Sequence, residues 1–136
     1  MRKTASPPSA SSLDNIALLA QAADEGRALD IVVLEVGHLL PICDYFLICH
    51  SRSTVHAQAI CDKIAEVAHQ AKLRLHHREG GGQGEWVILD YLDVVVHVFS
   101  EEARKFYGLE RLWADAPRLD VAGLLAPAEP VTGDEP

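Results

Sequence analysis

The sequence predicts an α/β domain, a mixed β-sheet covered by helices. Two compact β-branched runs, Asp30 to Val36 (DIVVLEV) and Val94 to Phe99 (VVVHVF), read as strands, and a long apolar stripe at helical spacing lies between them. The chain has 136 residues, 49% hydrophobic and 24% charged, which suits one domain with its own core.

The elements follow in order. Ser12 can cap a helix starting at Leu13, with Ile16, Leu19, Ala20 and Ala23 as its apolar stripe, and Gly26 helps end it. Asp30 to Val36 reads as a strand buried on both faces. Gly37 to Pro41 turns the chain, and Asp44 to His50 (DYFLICH) is a second strand. Ser53 is the N-cap of a long helix through Lys72, with Val55, Ala59, Ile60, Ile64, Val67 and Ala71 at helical spacing. A short strand at Leu73 to His77 leads into the glycine loop Gly80 to Gly84.

Glu85 to Leu89 and Val94 to Phe99, joined by Asp90-Tyr91-Leu92-Asp93, form an antiparallel hairpin. Ser100 caps a last helix, Glu101 to Leu112, whose first-turn acids suit the positive end of the helix dipole. The order is αββαβββα, which gives a mixed sheet under helices. Residues 1–12 read as a disordered arm, 13–119 as the folded domain and 120–136 as a disordered, acidic and proline-rich tail. Neither end offers enough apolar surface to offset ordering entropy.

Composition excludes several classes. No apolar run approaches the roughly 20 residues that span a bilayer, and Met1 to Ser12 has no secretory h-region. Cys43, Cys49 and Cys61 are an odd set without CxxC spacing, which suits reduced thiols in a cytoplasmic protein. A net charge of −8 disfavours broad nucleic-acid binding and favours a basic protein partner.

Chemistry finds little footing. The glycine loop leads into a strand, so neither a P-loop nor a dinucleotide fingerprint is met. His50, His56, His69, His76, His77 and Cys61 lack structural-zinc spacing. No cysteine carries a nucleophile motif. Asp30 and Asp44 stand at strand beginnings, whereas two-metal phosphoryl transfer wants carboxylates converging on the ions. No cofactor is called for.

The C-terminal half is less bland. Alternation puts Val95, His97 and Phe99 on one face of their strand and Val94, Val96 and Val98 on the other. On a continuous last helix Ala103, Phe106, Glu110 and Trp113 share a stripe, with Tyr107 beside it. Glu110 then sits among apolar groups. Either it pairs internally, with His97 or an Arg, or the stripe meets another molecule. Composition slightly favours internal pairing.

The motifs Asp30-Ile-Val-Val-Leu, Asp44-Tyr-Phe-Leu-Ile, Glu79-Gly80, Trp86-Val-Ile-Leu-Asp90, Asp93-Val-Val-Val-His97-Val-Phe99 and Arg104-Lys-Phe-Tyr107-Gly-Leu109-Glu110-Arg-Leu-Trp113 together resemble the ribosomal silencing factor family, also called RsfS or Iojap. The resemblance covers Leu13 to Ala116. It implies a nucleotidyltransferase-like fold without the catalytic residues, hence no enzyme. It implies binding to the large ribosomal subunit through ribosomal protein L fourteen, steric exclusion of the small subunit and repression of translation under nutrient limitation. Members are homodimers when free. The partner-binding residues it points to are Trp86, Asp90, Tyr91, Asp93, Val95, His97, Arg104, Tyr107 and Glu110, with Phe99, Phe106 and Trp113 as core. The glycine-rich loop and the chain after Ala116 depart from the family pattern. The alternatives are a divergent nucleotidyltransferase using Asp30 or Asp44 with Mg²⁺, and a metal-buffering protein.

Overall fold

A computed structural model describes residues 10–81 and 85–126. Its elements are α1 (Ala10–Glu25), β1 (Leu29–Glu35), β2 (Tyr45–Ser51), α2 (Thr54–Gln70), β3 (His77–Gly80), β4 (Trp86–Asp90), β5 (Val94–Ser100), α3 (Glu101–Tyr107), α4 (Leu109–Leu112) and α5 (Val121–Leu125). The strands form one five-stranded sheet in the order β1-β2-β5-β4-β3. Only β2 and β5 run parallel, so the sheet is mixed, as the sequence predicts.

Strand alternation divides the core in two. Val33, Leu47, Cys49, Val87, Leu89, Val94, Val96 and Val98 face a large cluster with Ile16, Leu19, Ile60 and Ile64 of α1 and α2. Val32, Leu34, Phe46, Ile48 and Phe99 face the opposite side, where Ala103 and Ala116 cover part of the sheet. That second face is the shorter-covered one, and the candidate site lies on it.

Several elements differ from expectation, each for a physical reason. α1 starts at Ala10, so Ser12 lies inside the helix, and its buried hydroxyl donates to the Asp44 carboxylate instead of capping. After α1 it is Arg27, not Gly26, that takes a positive φ (65°). Gly26 serves packing: a Cβ there would stand 3.1 Å from the Ile60 Cα of α2. β1 is buried only in its second half, because a bulge between Leu29 and Val32 and a left-handed Asp30 (φ 52°) turn its start to solvent. Its outer edge is closed by the chain after α4, through Glu35 N–H to Pro117 O and Leu119 N–H to Val33 O.

Ser53 caps α2 as predicted, accepting from the His56 N–H. The buried stripe of α2 is Ala57, Ile60, Cys61, Ile64 and Ala68, rotated from the expected set, so that Val55 is exposed. Lys72 (φ 64°) ends that turn, and residues 73–76 stay irregular, which moves β3 four residues later than predicted. Gly80 (φ 81°) is required there, since a Cβ would fall 2.1 Å from the Trp86 carbonyl. Gly82, Gln83 and Gly84 of the predicted loop lie outside the described residues, as do residues 1–9 of the predicted arm and 127–136 of the predicted tail.

The helix expected across Glu101 to Leu112 breaks at Gly108, which adopts the left-handed conformation (φ 58°, ψ 42°). Glycine takes that geometry without a Cβ penalty, so the break is cheaper than threading Gly108 through a helix. The start of the predicted tail is ordered: α5 packs Val121, Leu124 and Leu125 on the α1 side, and Gln21 Nε2 donates to Leu124 O (3.0 Å).

Candidate docking face

The second sheet face carries a continuous aromatic array across β2, β4, β5 and α3. Trp86 lies 4.8 Å from Phe99 and 4.6 Å from Tyr107, centroid to centroid. Phe46 meets His97 edge-on at 4.8 Å and Trp113 at 5.7 Å. Cross-strand pairing produces this order, with Trp86 opposite Phe99, Ile88 opposite His97 and Asp90 opposite Val95. Trp86, Ile88, Val95 and Trp113 are only partly buried, and Tyr107 and Phe106 are exposed. A single aromatic seam therefore reaches solvent along the hairpin.

His97 is the polar member of the seam. The Trp86 indole N–H donates to its Nδ1 (3.2 Å), and because indole can only donate, the ring is neutral with its proton on Nε2. Burial holds its pKa down at about 4. Among the described residues Nε2 has no hydrogen-bond partner. A buried donor without a partner costs free energy that the rest of the fold must offset. The sign of its pH effect follows from the lowered pKa: the unfolded chain takes up a proton near pH 6.5 and the folded chain does not until about pH 4. Stability from this group is complete above pH 6.5 and falls as the pH drops towards 4. Urea titrations at pH 7.5 and pH 5 should differ by about 2 kcal/mol through His97, and a His97→Phe variant should lose that difference. An unchanged slope in the variant would refute it.

Arg104 and Glu110 are spent inside the protein. Arg104 is 7% exposed, and its Nε and Nη2 donate to the two Glu110 oxygens at 3.0 and 3.1 Å. Its Nη1 donates to His50 Nδ1 (2.9 Å) and reaches Leu29 O (3.4 Å). Guanidinium cannot accept, so His50 is neutral here; burial and the Arg104 charge both lower its pKa. The hydrogen bonds from Arg104 hold the Glu110 carboxyl below its usual range, against a smaller opposing effect of burial. Of the two partners left open by the sequence for Glu110, an Arg is found and His97 is not. The fork spans the Gly108 break and ties α4 back onto α3.

The nine predicted residues thus separate. Trp86, Val95 and Tyr107 lie on the open face, with His97 beneath it. Asp90 and Asp93 rim the hairpin turn, where Asp90 Oδ1 accepts from Leu92 N–H (2.8 Å). Tyr91 faces the opposite core and is 7% exposed, because β4 ends at Asp90 and the turn swings the next side chain across. Arg104 and Glu110 brace the face from behind. Phe99 is core as expected, Trp113 is half-buried, and Phe106 is 79% exposed rather than core, since it stands about 200° round α3 from the buried Arg104. The sequence reading missed Phe46 and Ile88 as members of the seam and took Trp113 as core. β2 is apolar on both faces, so alternation gave no signal for Phe46.

The carboxylates of the enzyme alternative do not meet. Asp30 lines a cleft of about 650 Å³ beside Arg104 and Glu110; Asp44 does not line it and is fully buried against Ser12. Among the described residues no group of three or more His, Cys, Asp or Glu could hold a metal ion. Cys43, Cys49 and Cys61 are buried and in no disulfide, with burial pushing the Cys49 thiol up to about 12 and Cys61 to about 11, far from reactive. No described helix is long and apolar enough to cross a membrane.

Comparison with known proteins places this geometry. The family model "Ribosomal silencing factor during starvation" matches residues 9–135. The chain belongs to the ribosomal silencing factor family. Its similarity to the ribosomal silencing factor of Halalkalibacterium halodurans is 38% identity over 80% of this chain and 93% of that protein. To the Bacillus subtilis silencing factor it is 41% over 76% and 88%. A crystal structure from Bacillus halodurans superposes with a TM-score of 0.71 at 36% identity, covering 79% of this chain and 97% of that one. The silencing-factor match runs past both bounds expected from the motifs, Leu13 and Ala116, and takes in α5.

Proposed function

We propose that this chain docks onto the large ribosomal subunit through ribosomal protein L fourteen and, by its bulk, excludes the small subunit, repressing translation under nutrient limitation. Family membership supports a ribosome-associated, translation-silencing role. The observation that carries the finer reading is the face of Trp86, Val95 and Tyr107, open to solvent on the hairpin and α3 with His97 buried beneath it. Aromatic anchors in partly desolvated settings are what binding hot spots are made of. The net charge of −8 favours a basic protein over phosphate backbone.

Occlusion needs affinity and position but no turnover, so the factor acts without catalysis and without a cofactor. A Kd of about 10 nM corresponds to about −11 kcal/mol, within reach of one modest interface. The protein works in the cytoplasm, as a homodimer when free. Mixing it with purified subunits tests the reading: it should pellet with large subunits, and preincubation with them should reduce the yield of joined ribosomes. Failure to bind isolated large subunits, or joining that proceeds at the normal yield with the factor bound, would reject it.

A further inference from the structure

One end of the sheet carries apolar surface that neither the core nor the aromatic seam uses. There β1 and β4 end and β2 and β5 begin. Two loops are tied together at this end: Asp44 and Tyr45 N–H both donate to Asp93 O (2.9 and 3.0 Å), and Val36 and Gly37 N–H donate to Asp44 O (2.8 and 3.0 Å). On them Leu39 is 45% exposed, Ile42 70% and Leu92 51%. Isolated exposed apolar residues need no explanation, but three on adjoining loops beside an open aromatic face form a patch.

Leu92 makes the patch more than chance. Its φ is 73°, in the left-handed region, where a γ-branched side chain is strained and glycine or asparagine is at ease. Its N–H is already held by Asp90 Oδ1, so the turn would form with asparagine just as well. The fold thus keeps a strained leucine whose side chain points at least half into water. Strain of this kind persists where something other than folding uses it. The two loops themselves are acidic, with no Lys or Arg between Glu35 and Ser51 or between Glu85 and Ser100; Arg118 beside Leu34 and Arg78 beside Leu89 stand on the flanking segments. Glu35, Asp90 and Asp93 rim the patch, and His38 is drawn to Glu35 at 3.3 Å.

We propose that Leu92, flanked by Leu39 and Ile42, is a second docking anchor, which extends the aromatic face around the sheet end and seats in an apolar pocket on the basic surface of the same ribosomal protein. The inference rests on the reading of the aromatic face as the L fourteen-binding surface. An apolar knob with an acidic rim fits a cationic protein surface and repels a phosphate backbone, which commits the patch to protein rather than RNA. Leu92 then contributes specificity, as a feature that a plain two-strand turn would lack.

The experiment separates folding from docking because strain and contact predict opposite signs. Leu92→Asn relieves the left-handed strain, so its Tm should rise by a few degrees while its Kd for purified L fourteen rises about tenfold. Ile42→Ser should weaken binding in the same direction with an unchanged Tm. A lower Tm in Leu92→Asn would show that the leucine serves folding and would overturn the inference. If the wild type binds and Trp86→Ala weakens it while both loop variants bind as wild type, the inference fails and the docking face stands. If the wild type fails to bind L fourteen or large subunits, the underlying reading fails instead. Weakened binding to whole subunits with unchanged binding to isolated L fourteen would place the patch on another component, which also overturns it.

Discussion

Replacing Arg104 by Met should lower the unfolding free energy by about 3 kcal/mol, through an unpaired carboxylate rather than a cavity. Methionine fills much of the arginine volume, so packing is nearly conserved. What is lost is the fork onto both Glu110 oxygens and the bond to His50. Among the described residues Arg118, at 3.6 Å and 61% exposed, is the cation left in ion-pair contact with Glu110, too solvated to compensate. Removing both partners, Arg104→Met with Glu110→Met, should recover part of the loss, because neither group then demands the other. The acid limb gives a second readout. The folded pKa of Glu110 is depressed, so its contribution is present above the ordinary carboxylate range and fades as the pH falls through the folded value. The Arg104→Met variant should lack that component. Denaturant midpoints for the single and double variants decide the matter, and a single variant within about 0.5 kcal/mol of wild type would sink it.

That network explains why so much of the site was legible and part was not. Alternation along Val94–Phe99 separated the two faces correctly, because a period of two is fixed by the strand itself. Pairing of Arg104 with Glu110 could not be read the same way. The two are six residues apart, a spacing that brings side chains together on no continuous helix, and they meet only because Gly108 breaks the chain between them. Any glycine costs stability inside a helix, but the geometry this one takes depends on what α4 packs against. Tyr91 misled for a related reason: in a turn the alternation that served on either side lapses, and the ring crosses to the other core. The start of the tail, short and proline-flanked, looked too apolar-poor to order, yet Leu124 and Leu125 find a surface that α1 has already prepared.

Trp86→Ala should weaken binding to the large subunit by about 3 kcal/mol, roughly a 150-fold rise in Kd, while costing the fold about half as much. The asymmetry follows from where the indole sits. One side packs on Phe99 and Tyr107 and donates to His97, and that part is lost to stability. The rest is turned to solvent and is available only to a partner. Truncation also removes the donor that fixes the His97 tautomer, so the ring beneath the face gains freedom just where a partner would need it ordered. Trp86→Phe separates these effects. It keeps an aromatic plane against Phe99 and Tyr107 but no N–H, so it should retain most of the affinity if area dominates and fall towards the alanine variant if the His97 bond does. Titration of labelled protein with large subunits measures all three, beside urea melts of the free proteins. If the Kd of Trp86→Ala stays within threefold of wild type while the fold is intact, Trp86 packs the hairpin and does not anchor a partner.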